Sequence, residues 1–234
     1  MELGRLPLTH FAKKNCIKNW RRIHIQQKAN SVLLASHRES LLNKLIWTDS
    51  VYKCLNSIGV QVPQRGKKLL ENVAWKRLTD IFHQNAFTEV NSGGKLRTYA
   101  LLKTEIGRAG YLDKISNYKK RRVLTKTRLS NHTLMIEKGR HKDLEKEERL
   151  CPFCVEDEVE DEYHFIFECP TFHIPRRELF DKICLTFPNF HDLLPTDKIK
   201  IVLDAGETAE DCCTFLEKAF YVREFLINKP RSNM

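Results

Sequence analysis

The sequence lacks the segments that would place it in a membrane or direct it for secretion. No apolar run approaches the ~20 residues of a membrane span, and residues 1–15 lack the apolar core of a signal peptide. Glycine and proline are also scarce, at 9 and 8 of 234 residues, and apolar residues recur at helical spacing. We therefore expect a mainly α-helical protein in the cytoplasm or the nucleus.

Recognisable catalytic patterns are missing as well. There is no glycine-rich phosphate loop, and the histidines outside residues 132–164 show no paired spacing that would indicate a nucleophile and its base. The acidic run of residues 156–162 has no partnered base, and we expect solvent exposure for it. The sequence therefore predicts no enzymatic activity.

Charge is distributed unevenly along the chain. Residues 1–150 carry 31 Lys and Arg against 13 Asp and Glu, whereas residues 151–234 carry 9 against 17. Such an asymmetry indicates that the first part binds a polyanion, most commonly RNA or DNA.

Four residues that can bind a metal ion occur together in residues 151–169. Cys151, Cys154, His164 and Cys169 form a C-x2-C-x9-H-x4-C pattern, which suits one tetrahedral Zn²⁺. A zinc ion with four protein ligands has no open position, so its role would be structural. His173 is an alternative fourth ligand, and the alternative to a metal site is a set of ordinary buried cysteines in a reduced protein, which the specific spacing disfavours.

The local sequence explains how these donors could meet. Pro152 favours a tight turn between Cys151 and Cys154. Residues 160–168 read as a short helix, and Pro170 disfavours the α conformation at Cys169. We therefore predict a zinc-binding turn and helix inserted in a helical array.

The chain divides by composition into four predicted regions. These are a helical region (1–90), a basic helical region (91–150), the zinc-binding segment (151–175) and C-terminal helices (176–234). The clearest break is Asn91–Gly94. In the basic region we expect one helix over residues 114–138, ended by Gly139.

The basic region supplies the candidate nucleic-acid-binding residues. They are Lys119, Lys120, Arg121, Arg122, Lys126, Arg128, His132 and Arg140. Tyr111 and Tyr118 either stack on bases or pack in a core. A solvated helix face is the alternative for the basic run, and Arg128, His132 and Arg140 could instead tie the helix to the zinc-binding segment.

Several motifs together resemble one known family. They are Glu2–Pro7, Lys95–Tyr99, Leu102–Glu105, Arg128–His132, Ile136–His141, Arg149–Cys154 and Glu160–Phe165 with Cys169–Pro170. Spread over almost the whole chain, they resemble the C-terminal region of the endonuclease and reverse transcriptase proteins of animal non-LTR retrotransposons.

The resemblance implies a helical region after the polymerase thumb (residues 1–90), followed by a zinc-binding segment that helps to hold template RNA or target DNA. The chain contains no Asp-Asp pair, which the family's polymerase needs for its two metal ions. It resembles the tail without polymerase activity, with Met1 at an interior position of the family protein. The alternatives are a protein-interaction module that docks on a polymerase domain or another partner, and a translated remnant without function.

Overall fold

The protein is built from helices, as the sequence predicts. The structure, a computed structural model, describes residues 2–24, 32–43, 46–61, 71–92, 94–204 and 206–229. Over these ranges the only β contacts are isolated bridges, Leu3 with Arg108 and Leu150 with Val159. None of the helices in these ranges combines the length and the apolar character that crossing a bilayer requires.

The α-helices are numbered in chain order. They are α1 (Leu8–His24), α2 (Val32–Leu42), α3 (Ile46–Ser57), α4 (Glu71–Ser92), α5 (Arg97–Leu102), α6 (Tyr111–Lys114), α7 (Tyr118–Arg128), α8 (Met135–Arg140), α9 (His173–Thr186), α10 (Pro195–Leu203) and α11 (Ala209–Asn228). Short 3₁₀ segments and one π-helical segment, His164–Glu168, separate some of them.

The chain forms two compact units. The smaller unit is Arg5–Thr88, and the larger unit combines Met1–Gly4 with Glu89–Met234. In the smaller unit, Ile17 and Trp20 of α1 are buried in one apolar cluster with Val51 and Leu55 of α3.

The core of the larger unit surrounds the π-helical segment. Phe165 is fully buried, and its ring lies 4.7 Å from the rings of both Phe172 and Phe220, measured between centroids. Leu124 of α7 and Ile183 of α9 belong to the same cluster. The predicted zinc-binding segment therefore packs inside this unit.

The expected helix over residues 114–138 is wrong, because it is interrupted after α7. Ser130 has a left-handed φ of 51°. The Asn131 N–H donates to the Lys126 carbonyl (2.8 Å) and the Ser130 N–H to the Thr127 carbonyl (3.2 Å), the two bonds of a Schellman helix end. Gly139 is then a residue within α8 and does not end the helix.

The N-terminal residues join the larger unit through their backbone. The Ala109 N–H donates to the Glu2 carbonyl over 2.9 Å. Gly4 has a φ of 61°, and a Cβ there would lie 2.5 Å from the Arg108 nitrogen. Only glycine fits this close approach without moving the backbone.

Candidate metal centre

The four predicted metal ligands converge. One ligand atom from each of Cys151, Cys154, His164 and Cys169 lies within 4.8 Å of all the others. The Cys151 and Cys169 sulfurs are 3.8 Å apart, and the Cys154 sulfur is 3.5 Å from His164 Nε2. A turn and a helix end thus direct three thiols and one imidazole toward a common centre.

Two of these separations match the ligand spacing around a tetrahedral metal ion. With metal–sulfur bonds of about 2.3 Å and a metal–nitrogen bond of about 2.0–2.1 Å, a tetrahedron places two sulfurs about 3.8 Å apart and a sulfur and a nitrogen about 3.6 Å apart. The two observed distances agree with these values. The residues therefore fit a metal ion in both chemistry and spacing.

Backbone pairing closes the loop that carries the first two cysteines. The Cys151 N–H donates to the Glu158 carbonyl (2.8 Å), and the Glu160 N–H donates to the Arg149 carbonyl (2.9 Å). These two bonds fix both ends of the intervening turn, so Cys151 and Cys154 are held next to the helix that follows.

A π-turn positions the other two ligands. The Cys169 N–H donates to the His164 carbonyl over 2.8 Å, an i to i+5 bond. Cys169 itself leaves the helix, with φ −49° and ψ 119°, as its place before Pro170 predicts. The wider turn brings residues five apart onto one side.

Arg176 of α9 stabilises this helix end. Its guanidinium donates to the carbonyls of Ile166 (2.8 Å), Glu168 (3.1 Å) and Cys169 (2.6 Å). These carbonyls lack the partners that a continuing helix would supply. The role of Arg176 could not be predicted from the sequence, because a distant side chain that caps carbonyls leaves no spacing signal.

The four ligand side chains share protons through hydrogen bonds. The hydrogen bond between the two thiols lowers the pKa of Cys169 and raises the pKa of Cys151. Burial opposes the charged imidazole, but hydrogen bonding to Cys169 raises the pKa of His164. A bound metal would take the place of these protons.

The alternative ligand His173 lies outside this group. Its Nδ1 is 3.0 Å from the Pro170 carbonyl and its side chain is exposed. His164 is therefore the imidazole that completes the cluster.

The expectation that the acidic run is exposed holds for residues 156–158 and is wrong for Glu160 and Glu162, which are buried. Glu160 accepts two 2.7 Å hydrogen bonds from the guanidinium of Arg223 on α11. This bidentate pair satisfies a carboxylate inside the core.

Glu162 is the centre of a second buried network. It accepts from Arg97 (2.5 Å) and Ser130 (3.1 Å), and it lies 2.8 Å from His132 Nε2. Burial works against its charge, but the hydrogen bond and charge of His132, together with Arg97, lower the pKa of Glu162 to about 2. Glu162 therefore links α5, the α7–α8 connection and the metal-ligand segment.

The predicted nucleic-acid-binding residues separate into two groups. Lys119, Arg122 and Lys126 are exposed on α7, while Arg121 is half-buried. Lys120 is half-buried and lies 3.6 Å from Glu210. The predicted base-stacking candidates separate too: Tyr118 is exposed and Tyr111 is buried.

The remaining three predicted residues bind within the protein. Arg128 is fully buried, donates to Glu2 (2.8 Å) and the Leu203 carbonyl, and lies 3.1 Å from Asp204. His132 contacts Glu162, and Arg140 donates to Glu137 over 3.1 Å. Arg128 is therefore no longer a candidate nucleic-acid-binding residue, since no phosphate can reach its side chain in this arrangement.

No protein-family model, curated protein or solved structure matches this chain.

Proposed function

We propose that this protein is a zinc-stabilised module that binds RNA or single-stranded DNA. The observation that carries the proposal is the convergence of Cys151, Cys154, His164 and Cys169, whose ligand atoms all lie within 4.8 Å of one another. Three thiolates and one imidazole favour Zn²⁺ among common cellular metals. All four positions are filled by protein, so the ion would be structural and would not catalyse a reaction.

The charge distribution supports the nucleic-acid part of the proposal. Lys119, Arg122 and Lys126 lie on α7 with the exposed ring of Tyr118 at its start. Ammonium and guanidinium groups contact phosphates without reading sequence, and an exposed tyrosine offers a face on which a base can stack. The motif resemblance adds a context, the tail of a retrotransposon reverse transcriptase without polymerase activity of its own.

The test combines metal content and binding on one purified sample. We expect one zinc per chain by native mass spectrometry, and unfolding of residues 150–175 on chelation, seen as new protease cleavage there. A protease pattern unchanged by chelation would contradict the structural role.

Binding is tested with the triple variant Lys119→Gln, Arg122→Gln and Lys126→Gln. Because each lost phosphate contact reduces counterion release, we expect weaker binding and a salt slope shallower by about 2 to 3. The matched control replaces three other exposed lysines, Lys142, Lys146 and Lys229, by glutamine. Equal losses in both triples would show that net charge matters and α7 does not.

A docking module is the second candidate function. In the smaller unit, Leu8, Val32 and Leu42 are each more than four-fifths exposed, and Phe11 is 46% exposed. Apolar side chains left in solvent in this way fit a partner surface such as a polymerase domain. Co-purification with a reverse transcriptase polymerase domain that is lost in Leu8→Ser and Phe11→Ser, without nucleic-acid binding, would favour this candidate.

A further inference from the structure

A cavity of about 370 Å³ lies in the larger unit among residues of α7, α8 and α11. Its volume falls in the range of small-ligand sites. The residues that line it are Val123, Lys126, Asn131, His132, Thr133, Lys138, Phe220, Arg223, Glu224, Ile227 and Asn228. It is separate from the metal centre, none of whose four ligands lines it.

One buried nitrogen in the wall lacks a partner. The side chain of His132 is 2% exposed. Its Nε2 donates to Glu162, since an ionised carboxylate only accepts hydrogen bonds. His132 Nδ1 has no partner in the described part of the chain. A polar group of a ligand would satisfy it.

Two ammonium groups of the wall are also uncommitted. Within the described residues, neither Lys126 nor Lys138 has a carboxylate at ion-pair distance, whereas Arg223 in the same wall is held by Glu160. Glu224 is the one acidic side chain of the lining. The cavity therefore carries net positive charge from free lysines, which suits a phosphate.

The rest of the wall is apolar and aromatic. Phe220 stacks against His132, with ring centroids 6.4 Å apart and planes at 29°. Val123 and Ile227 complete the apolar surface. An aromatic ring, a hydrogen-bonding edge and nearby cations are the groups with which proteins hold an unstacked base and its phosphate.

We infer that this cavity holds one unstacked nucleotide of a single strand. The base would lie on the wall formed by Phe220 and Ile227, with a polar group of the base or sugar hydrogen-bonded to His132 Nδ1, and the phosphate would lie by Lys126 and Lys138. The inference rests on the proposed nucleic-acid binding and specifies it, because a continuous duplex cannot place a base in such a cavity.

The experiment measures binding of the full-length chain to a fluorescent 12-nucleotide single strand, to a duplex of the same sequence, and to each of the four nucleoside 5′-monophosphates. Ile227→Trp fills the cavity without changing charge. Tyr221→Trp, on the same helix but exposed and outside the cavity, is its matched control. Since one base–aromatic stack is worth roughly 1–3 kcal/mol, we expect at least a fivefold loss of single-strand affinity in Ile227→Trp.

Duplex binding should stay unchanged in Ile227→Trp, and a monophosphate should bind the wild type and lose that binding in the variant. Glu224→Gln should tighten single-strand binding, because it removes the repelling charge. If circular dichroism shows that Ile227→Trp does not fold, the double variant Lys126→Gln and Lys138→Gln takes its place, and monophosphate binding is again the quantity measured.

The outcomes separate the two proposals. Single-strand binding that is equal in wild type, Ile227→Trp and Tyr221→Trp would overturn the cavity and leave the proposed function standing. Absence of both strand and monophosphate binding would overturn both. Monophosphate binding alone would overturn the strand-binding function and the assignment of the cavity to a nucleotide within a strand.

Discussion

The acidic loop before His164 and the basic helix α7 carry opposite charges. In both regions some of the charged side chains are buried and the others are exposed. In the loop, residues 156–158 are exposed while Glu160 and Glu162 are buried on arginines. In α7, Lys119 and Lys126 are exposed while Arg128 is buried on carboxylates. In each region part of the charge holds the fold, and the rest faces solvent.

A count of the charged residues in a region therefore overestimates how many of them can contact a ligand. Buried charges are retained only where partners satisfy them, and removing one partner leaves the other uncompensated. The charges that can meet a ligand are the exposed ones, whose removal costs little stability. In each region, one substitution of a buried charge and one of an exposed charge therefore distinguish the residues that stabilise the fold from those that can bind a ligand.

The largest effect is expected within the acidic loop. Glu160→Ala leaves the guanidinium of Arg223 buried without its bidentate partner, and we expect a loss of about 3–5 kcal/mol in the free energy of unfolding. Glu158→Gln, in the same run but exposed, should stay within about 0.5 kcal/mol. Urea denaturation followed by circular dichroism measures both, and similar losses would refute the division between buried and exposed acids.

The corresponding pair in α7 comes next in size. Arg128→Gln breaks ion pairs with Glu2 and Asp204 that are partly open to solvent, so we expect a loss of roughly 3 kcal/mol. Lys126→Gln should weaken nucleic-acid binding and leave stability within about 0.5 kcal/mol. A stable Arg128→Gln protein that binds nucleic acid more weakly than the wild type would show that Arg128 is a nucleic-acid-binding residue after all.

Acid should remove the contribution of Glu162. Its pKa is lowered from 4.5 to about 2 in the folded protein, so its contribution is present above pH 4.5 and is lost as the pH falls from 4.5 toward 2. The contribution is at most about 3 kcal/mol. The stability difference between wild type and Glu162→Gln should be constant above pH 5 and shrink below it.

Metal release in acid affects both of these proteins, so it cancels in the difference. A stability difference that does not change between pH 5 and 3 would show that the hydrogen-bond network does not lower the pKa of Glu162.

The smallest effect concerns a close contact beside the metal-ligand segment. In Gly139→Ala the new Cβ would lie 2.5 Å from Cγ of Arg149, whose guanidinium donates to the carbonyls of Leu144 and Ile136. We expect a net loss of about 1 kcal/mol. Gly110→Ala is the control, because its Cβ would meet no atom within 4 Å. Thermal unfolding midpoints compare them, and equal midpoints would show that Arg149 moves freely.

The metal-ligand cluster could be predicted because its geometry is local. A two-residue turn, a helix and a proline after Cys169 are enough to bring four donors together, and all of them lie within residues 151–169. The helical class follows equally from composition and apolar spacing.

The buried ion pairs could not be predicted, because their partners are far apart in sequence. Arg97 and Glu162 are separated by 65 residues, and Arg223 and Glu160 by 63. The end of α7 was missed for another reason. A serine, Ser130, occupies the left-handed position that glycine usually marks, so the sequence gives no stop signal there.

Zinc K-edge X-ray absorption on the purified protein tests most directly whether Cys151, Cys154, His164 and Cys169 hold one zinc ion. We predict one zinc with three sulfur neighbours at about 2.3 Å and one nitrogen at about 2.0–2.1 Å. We also predict that Cys169→Ser loses one sulfur from this shell or loses the metal. A protein that carries no zinc, or a shell made only of oxygen and nitrogen, would contradict this prediction.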